Sequence, residues 1–360
     1  MRTLPCLLVL LCTLWSVSAC AATPLAPTPL PSEGLVLVGA TVVGQGQVSV
    51  TVAGESITAV GASSDGLPQQ DLTGHFVVPA VIDAHVHLAY LPAGDDLARG
   101  GVAGAIDWAA PLGSLAAQPL EVRFAGPIIT AVQGYPTQGW GQNGYGLEVS
   151  DAAAGRAAVG TVAEAGATVV KIALGAGGPE LSDEVLRAIC EEAHSRGMLV
   201  GAHALRDDDA RRAAEVGADI LVHAPVEELS PATVAAWSSK AVIATISAFS
   251  GVASTRQLAE AGATVLYGTD FGNTRALGVS APEIEGLVQA GLAAQGVLDA
   301  ATSSPAEMFG LTRLGAIAAG KEASLLILDA DPLLDPTVLA RPVAVLHRGA
   351  VASGTLPGGG

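Results

Sequence analysis

The sequence predicts an α/β fold: a (β/α)8 TIM barrel with a small β-sandwich built from both chain ends. Three observations predict it. Short apolar runs alternate with helical patterns over residues 76–312. Short alternating runs punctuated by glycine fill residues 35–75 and return over 313–355. Six polar residues, His85, His87, Lys171, His203, His223 and Asp270, stand at or near the ends of the apolar runs. A parallel strand buried on both faces reads as a continuous apolar run. Alternation with helices implies a parallel sheet, and in a barrel the carboxyl ends of such strands converge on one face.

Taken in chain order, residues 1–20 read as a targeting leader. Arg2 is the only charge, and Leu4 to Val17 is an apolar run too short for a spanning helix. It ends Val17-Ser18-Ala19-Cys20, which resembles a bacterial lipobox, with Cys20 as the lipidated first residue of the mature chain. Simple cleavage near Ala19 or Ala22 is the alternative. Ala21, rather than Asp, after Cys20 favours the outer membrane by the same resemblance. The expectation is an exported chain that meets a membrane only through this anchor. Residues 21–34 are Pro-rich and read as an extended tether without a core of its own.

The runs Leu35–Val43, Gln47–Val52 and Ser56–Val60 read as antiparallel strands, matched at the far end by Ser324–Leu328 and Val343–His347. Neither group has enough apolar surface to fold alone, so one sandwich from both ends is the economical reading. Between them lie the barrel strands: Phe76–Ile82 before His85, Ala167–Val170 before Lys171, Met198–Gly201 before His203, Asp219–Val222 before His223 and Thr264–Tyr267 before Asp270. The clearer helices are Asp151–Glu164, Ser182–Arg196, Asp207–Val216, Pro231–Trp237 and Pro282–Ala293. Ser182 and Ser230 carry helix-start signals, and Gly166, Gly197, Gly217 and Gly262 suit left-handed caps.

Composition narrows the function classes. A formal net charge of −17 argues against nucleic acid and anionic membrane surfaces as partners. Of four cysteines, Cys6, Cys12 and Cys20 belong to the leader, so Cys190 alone cannot form a disulfide framework. Aromatic residues make up 4% of the chain, so the core must be built from small aliphatic side chains.

The chemistry sits in the six polar residues. His85 and His87 are two apart, so in a strand both imidazoles point to one side and reach one metal. His203 and His223 each follow an apolar strand, and neutral imidazole is a common metal donor that suits zinc. A lysine inside an apolar strand is costly unless paired. Lys171 is read as a carbamate, formed when its deprotonated amine adds carbon dioxide, which converts a cation into an anionic oxygen ligand. Asp270 can bind a metal and accept a proton from water. The loop after the third strand holds Tyr135, Gln142 and Tyr145, candidates to orient a substrate carbonyl or carboxylate. Arg206 and Arg275 are candidate carboxylate clamps, with exposed salt bridges as the alternative.

Pro79-Ala-Val-Ile-Asp-Ala-His-Val-His resembles the first-strand signature of the amidohydrolase superfamily, with Ala80 where that family usually has Gly. Lys171, His203, His223 and Asp270 follow in the family's order, and the resemblance extends over residues 35–350. It is similar to the branch related to imidazolonepropionase that includes prolidase-like enzymes. The resemblance implies His85, His87 and Asp270 on one divalent metal, His203 and His223 on a second, and carbamylated Lys171 between them. The implied function is binuclear hydrolysis of amide or peptide bonds in dipeptides or N-acyl amino acids, with a metal-bridging hydroxide as nucleophile and Asp270 as proton acceptor. Ala204-Leu205-Arg206 after His203 lacks the Glu of the family's deaminases, which favours hydrolysis. A mononuclear cyclic-amide hydrolase and a non-catalytic ligand-binding lipoprotein are the alternatives. Barrels with such a sandwich often associate, so the resemblance also makes the chain a candidate homo-oligomer.

Overall fold

The computed structural model describes residues 26–61, 66–114 and 118–358. The leader and Cys20 lie outside the described residues. No helix among the described residues is long and apolar enough to cross a membrane.

Strands from the two chain ends form two sheets. One runs in the order Ser56–Val60, Val50–Ala53, Leu35–Val38, Gln69–Asp71. The other runs Thr28–Pro29, Ala350–Gly354, Ala344–His347, Leu325–Leu328, Phe76–Pro79, Thr41–Val42, Gly46–Gln47. Leu37, Val52, Ile57, Val77, Leu325 and Leu346 belong to one apolar cluster that draws on both ends. The tether is not free throughout, because Thr28 and Pro29 pair with Val351 and Ala350 as an edge strand.

The larger of these sheets has two buried faces. Val77, Leu325 and Ile327 enter the cluster of the chain ends, while Val78, Leu326 and Leu328 enter the main core. Alternate residues of a strand point to opposite faces, which explains why Leu325-Leu-Ile-Leu is apolar without interruption although its neighbours are antiparallel.

The run Phe76–Ile82, expected as one strand, is two. Phe76–Pro79 belongs to the sheet of the chain ends, and Val81–Val86 starts the parallel part. Pro79 has no N–H to continue a ladder. The next residue turns the chain: Ala80 N donates to Ser324 O, and Val81 N donates to Gly101 O.

The middle of the chain is α/β with parallel strands. Val81–Val86, Val102–Asp107 and Glu121–Phe124 pair in parallel. A second parallel sheet is ordered Gly146–Val149, Ile128–Ala131, Val169–Ala173, Leu199–His203, Ile220–Leu221, Ala241–Ile243, Thr264–Leu266. Backbone bonds join the two sheets: Ala84 N donates to Tyr267 O at 3.0 Å just past the edge strand Thr264–Leu266, and Thr168 N donates to Phe124 O at 2.9 Å just before Val169–Ala173.

Helix starts follow local chemistry. Asp151, Ser182 and Ser230 accept from Ala154 N, Val185 N and Thr233 N as side-chain caps. Gly217 closes its helix at φ 107°, a backbone conformation that favours glycine. The helix expected over Pro282–Ala293 is Ala281–Gln289, and a second helix begins at Ala294. Gly291, at φ 95°, accounts for the break.

Candidate metal centre

Five of the six residues are positioned by the carboxyl-terminal end of a parallel strand or the segment after it, and Lys171 lies within its strand. His85 is in Val81–Val86 and His87 follows directly. Lys171 is the middle residue of Val169–Ala173, deeper in its strand than the apolar run suggested. His203 ends Leu199–His203, His223 lies two residues past Ile220–Leu221, and Asp270 lies four past Thr264–Leu266. All six are buried, from 0% exposure at His85 to 9% at His203.

They are brought together. His87 Nε2 is 3.0 Å and His85 Nε2 is 3.5 Å from Asp270 Oδ1. The His85 and His223 rings stack at 4.5 Å, and those of His203 and His223 meet edge-on at 4.9 Å. Lys171 lies over Trp108 at 5.8 Å, and its charge acts on His85, His203 and His223. Among the described residues the Lys171 side chain makes no hydrogen bond or ion pair.

Burial dominates the titration of the site. It pushes the Lys171 ammonium down from 10.5 to about 7, with Asp270 opposing. Burial, then the Lys171 charge, lowers His203 to about 3, and burial drives His85 and His223 well below the usual imidazole range. These three rings are therefore neutral at neutral pH, the form that offers a lone pair. Burial alone would raise Asp270; hydrogen bonds from His87 and Asn273 are among the interactions that hold it down to about 2.

The residues fit a divalent metal. His85 Nδ1 is 2.7 Å from Val222 O, so that nitrogen carries the proton and donates. Its Nε2 is then a bare lone pair with no hydrogen-bond partner, directed at a carboxylate oxygen inside a buried site. Two acceptors facing each other repel unless a cation lies between them. The spacings of 3.0 and 3.5 Å bracket the edge of roughly 3.4 Å of a tetrahedron with zinc–ligand bonds of about 2.0–2.2 Å. Donor atoms of His85, His87 and Asp270 all lie within 4.8 Å of one another.

Several residues that sequence reasoning left unassigned hold this arrangement. Asp83 accepts His85 N and Thr269 N at 3.0 Å and the Thr269 hydroxyl at 2.5 Å, tying the first metal-site strand to the segment before Asp270. Asp270 itself adopts φ 54°, and both of its carboxylate oxygens accept from Asn273 Nδ2. Asp107 accepts Leu88 N, Ala89 N and Ala109 N, fixing the chain after His87. Asp107 closes the apolar strand Val102–Asp107, the same signal that marked the other six.

The remaining candidates divide. Tyr135 stacks on His203 at 5.6 Å and accepts from Trp140 Nε1 at 3.1 Å; Trp140 lies 5.8 Å from His87. Both line a cavity of ≈ 400 Å³ with Pro136, Gly177, Gly178 and Pro179. Tyr145 packs behind Trp140, their rings 5.4 Å apart, and is absent from the cavity lining. Gln142 is exposed and away from that lining, because its turn faces solvent. Arg206 is bound to Asp209 at 2.8 Å on the solvent side of its helix start, and Arg275 Nη1 donates to Gly272 O at 2.7 Å. Neither guanidinium is directed into the histidine cluster by a described contact.

The fold is shared with solved hydrolases. A Xaa-Pro dipeptidase with bound methionine is 21% identical with TM-score 0.76, covering 89% of this chain and 100% of that one. A candidate prolidase from Bifidobacterium longum is 25% identical with TM-score 0.73, covering 89% and 94%. A prolidase complexed with N-methylphosphonate-L-proline is 22% identical with TM-score 0.74, covering 89% and 100%. No curated protein sequence matches the chain. The amidohydrolase family profile matches residues 115–358, more than half of the sequence. With that match and this fold, the chain belongs to the amidohydrolase family.

Proposed function

We propose that this chain is a metal-dependent hydrolase of amide or peptide bonds in small substrates, dipeptides or N-acyl amino acids first. The observation that carries the reading is the unpartnered His85 Nε2 directed at Asp270 beside four further buried groups, His87, Lys171, His203 and His223. In this reading the two parallel sheets close into a (β/α)8 barrel flanked by a sandwich of both chain ends. The backbone bonds between the two sheets support that closure.

His85, His87 and Asp270 would hold one divalent ion, His203 and His223 a second, and Lys171 would bridge them as a carbamate. Zinc suits these donors. Bound metal would supply Lewis acidity and lower the pKa of water. Asp270 accepts the proton lost by the attacking water and delivers it to the nitrogen as the carbon–nitrogen bond breaks. Asn273 keeps both Asp270 oxygens in place meanwhile. Tyr135 accepts from Trp140, so its own hydroxyl proton is free to donate to a substrate oxygen. No charged side chain lines the adjoining cavity, which suits an uncharged part of the substrate. The Lys171 ammonium has no side-chain partner to hold its proton and gives it up, and the neutral amine that results can add carbon dioxide, releasing a second proton as the carbamate forms.

A second reading is a one-metal hydrolase of cyclic amides. It is favoured by the fact that His85, His87 and Asp270 alone bring three donor atoms within 4.8 Å among the described residues. The test is metal content and Lys171 mass on protein prepared with zinc and bicarbonate, followed by hydrolysis of a dipeptide and N-acyl amino acid panel. Two metals and a carbamate with turnover support the first reading. One metal and an unmodified lysine move it to the second, and a metal-free, inactive protein overturns both. Export with a lipid on Cys20 belongs to the same proposal; Cys20→Ala should abolish incorporation of a labelled fatty acid.

A further inference from the structure

We propose that Glu283 is a positioning residue for His223, acting through the turn that carries Thr245. Ser280-Ala-Pro-Glu283 has the spacing of a helix capping box, in which the glutamate ordinarily returns to the N–H of the cap residue. Here it does not. Ser280 still caps Glu283 N, but Ser280 N donates to the Tyr267 hydroxyl at 2.8 Å. The Glu283 carboxylate is sent across to another segment. Its Oε1 accepts Ile246 N at 2.9 Å and its Oε2 accepts Ser247 N at 2.8 Å.

Those two N–H groups open the short helix Ile246–Phe249, and the residue before them is Thr245 at φ 43°. A threonine there is strained by about 1–3 kcal/mol unless its surroundings impose the conformation. The Thr245 hydroxyl lies 3.1 Å from His223 Nδ1, and the Phe249 ring covers the His223 ring at 4.4 Å. The same turn therefore grips both the edge and the face of one imidazole, and Glu283 anchors that turn. Glu283 is 0% exposed and makes no ion pair among the described residues, so its burial is costly and these two bonds are what it offers in return. Gly286, one turn further on, is required for the approach: a Cβ there would meet Ile246 Cγ2 at 2.6 Å. The Thr245 hydroxyl can accept from Nδ1–H, and in that tautomer the His223 Nε2 lone pair is left for a ligand.

The experiment compares full-length wild type, Glu283→Gln, Thr245→Val and the double variant. Gln presents one acceptor and an NH2 to two N–H groups; Val removes the hydroxyl at constant shape. The His223 tautomer is read by nitrogen-15 NMR on metal-free protein, and zinc affinity by competition with a chromophoric chelator. Wild type is expected to hold the Nδ1–H tautomer. Each single variant should lose it and bind zinc about tenfold more weakly. The double variant should be no weaker than the weaker single one, because both cut the same chain of contacts. Thr245→Ser should restore both readouts, and Gly286→Ala, which displaces the helix from Ile246, should reproduce the loss if Glu283→Gln does not fold. Retention of the wild-type tautomer in Glu283→Gln, or multiplying affinity losses in the double variant, overturns the proposal. The zinc arm rests on the metal-hydrolase reading. If wild type binds no zinc that reading fails, and the tautomer still decides the role of Glu283.

Discussion

Replacing Lys171 by Met should stabilise the metal-free protein while abolishing hydrolysis. Lys171 is 2% exposed, its side chain has no hydrogen bond or ion pair among the described residues, and its ammonium is pushed from 10.5 to about 7 by burial. That gap corresponds to about 5 kcal/mol against the charged amine, a ceiling rather than a net value. Between pH 7 and 10.5 the unfolded chain binds more protons at this residue than the folded one does. Stability from this group is therefore complete above pH 10.5 and lost as pH falls toward 7. Met keeps an apolar stem of similar size and carries no charge, so its advantage is full at pH 6.5 and mostly gone at pH 9.5. At roughly 1.5 °C per kcal/mol for a chain of this length, Tm should rise by up to about 7 °C at the lower pH. The assay is thermal unfolding of both proteins at the two pH values, in chelator and carbon dioxide-free buffer. A variant less stable at pH 6.5, or a gain that does not shrink with pH, refutes the claim that an unpaired amine is buried there.

Gly201→Ala should cost about 1–3 kcal/mol in urea unfolding, because the added Cβ collides with the Trp108 ring and meets Val222 Cγ1 at 2.6 Å. Trp108 lies under Lys171, so turnover should fall as well; unchanged stability would show that the strand moves aside freely. Asp83→Asn should cost about 2 kcal/mol and depress turnover, since one amide oxygen replaces two carboxylate oxygens that serve three donors. Urea midpoints with unchanged slopes measure the first effect. Chelation should lower Tm, and zinc at one hundred times its Kd should restore about 2.7 kcal/mol; a Tm indifferent to zinc removes the metal from the folded protein.

Much of the site could be read from local pattern. His85 and His87 are two apart on one strand, and Lys171, His203, His223 and Asp270 follow apolar runs, so strand direction alone brings them to one side. Asp107 carries the same signal at the end of Val102–Asp107, and nothing in the local pattern separates its role, accepting Leu88 N, Ala89 N and Ala109 N, from that of Asp270. Arg206 and Arg275 stood at the right chain positions, yet local partners take both guanidinium groups, Asp209 three residues away and the Gly272 carbonyl.

What the sequence determined by itself is what depends on near neighbours. Helices capped by Asp151, Ser182 and Ser230 begin where those side chains stand, because a cap reaches only two or three residues ahead. The alternation of strand and helix, and hence the α/β class, follows from periodicities of two and 3.6 residues. Tertiary structure decided the rest. Val222 O fixes the His85 proton from 137 residues away, Asp83 ties to Thr269 across 186, and Glu283 anchors the His223 clamp from 37 residues beyond Ile246. The strand that ends at Pro79 is divided from the next where Ala80 N bonds to Ser324 O and Val81 N to Gly101 O, partners more than 240 and about 20 residues away. A hydrogen-bond acceptor in sequence carries no mark of which distant donor it will meet. That choice is made when packing excludes water and each buried polar group must find the partner within reach.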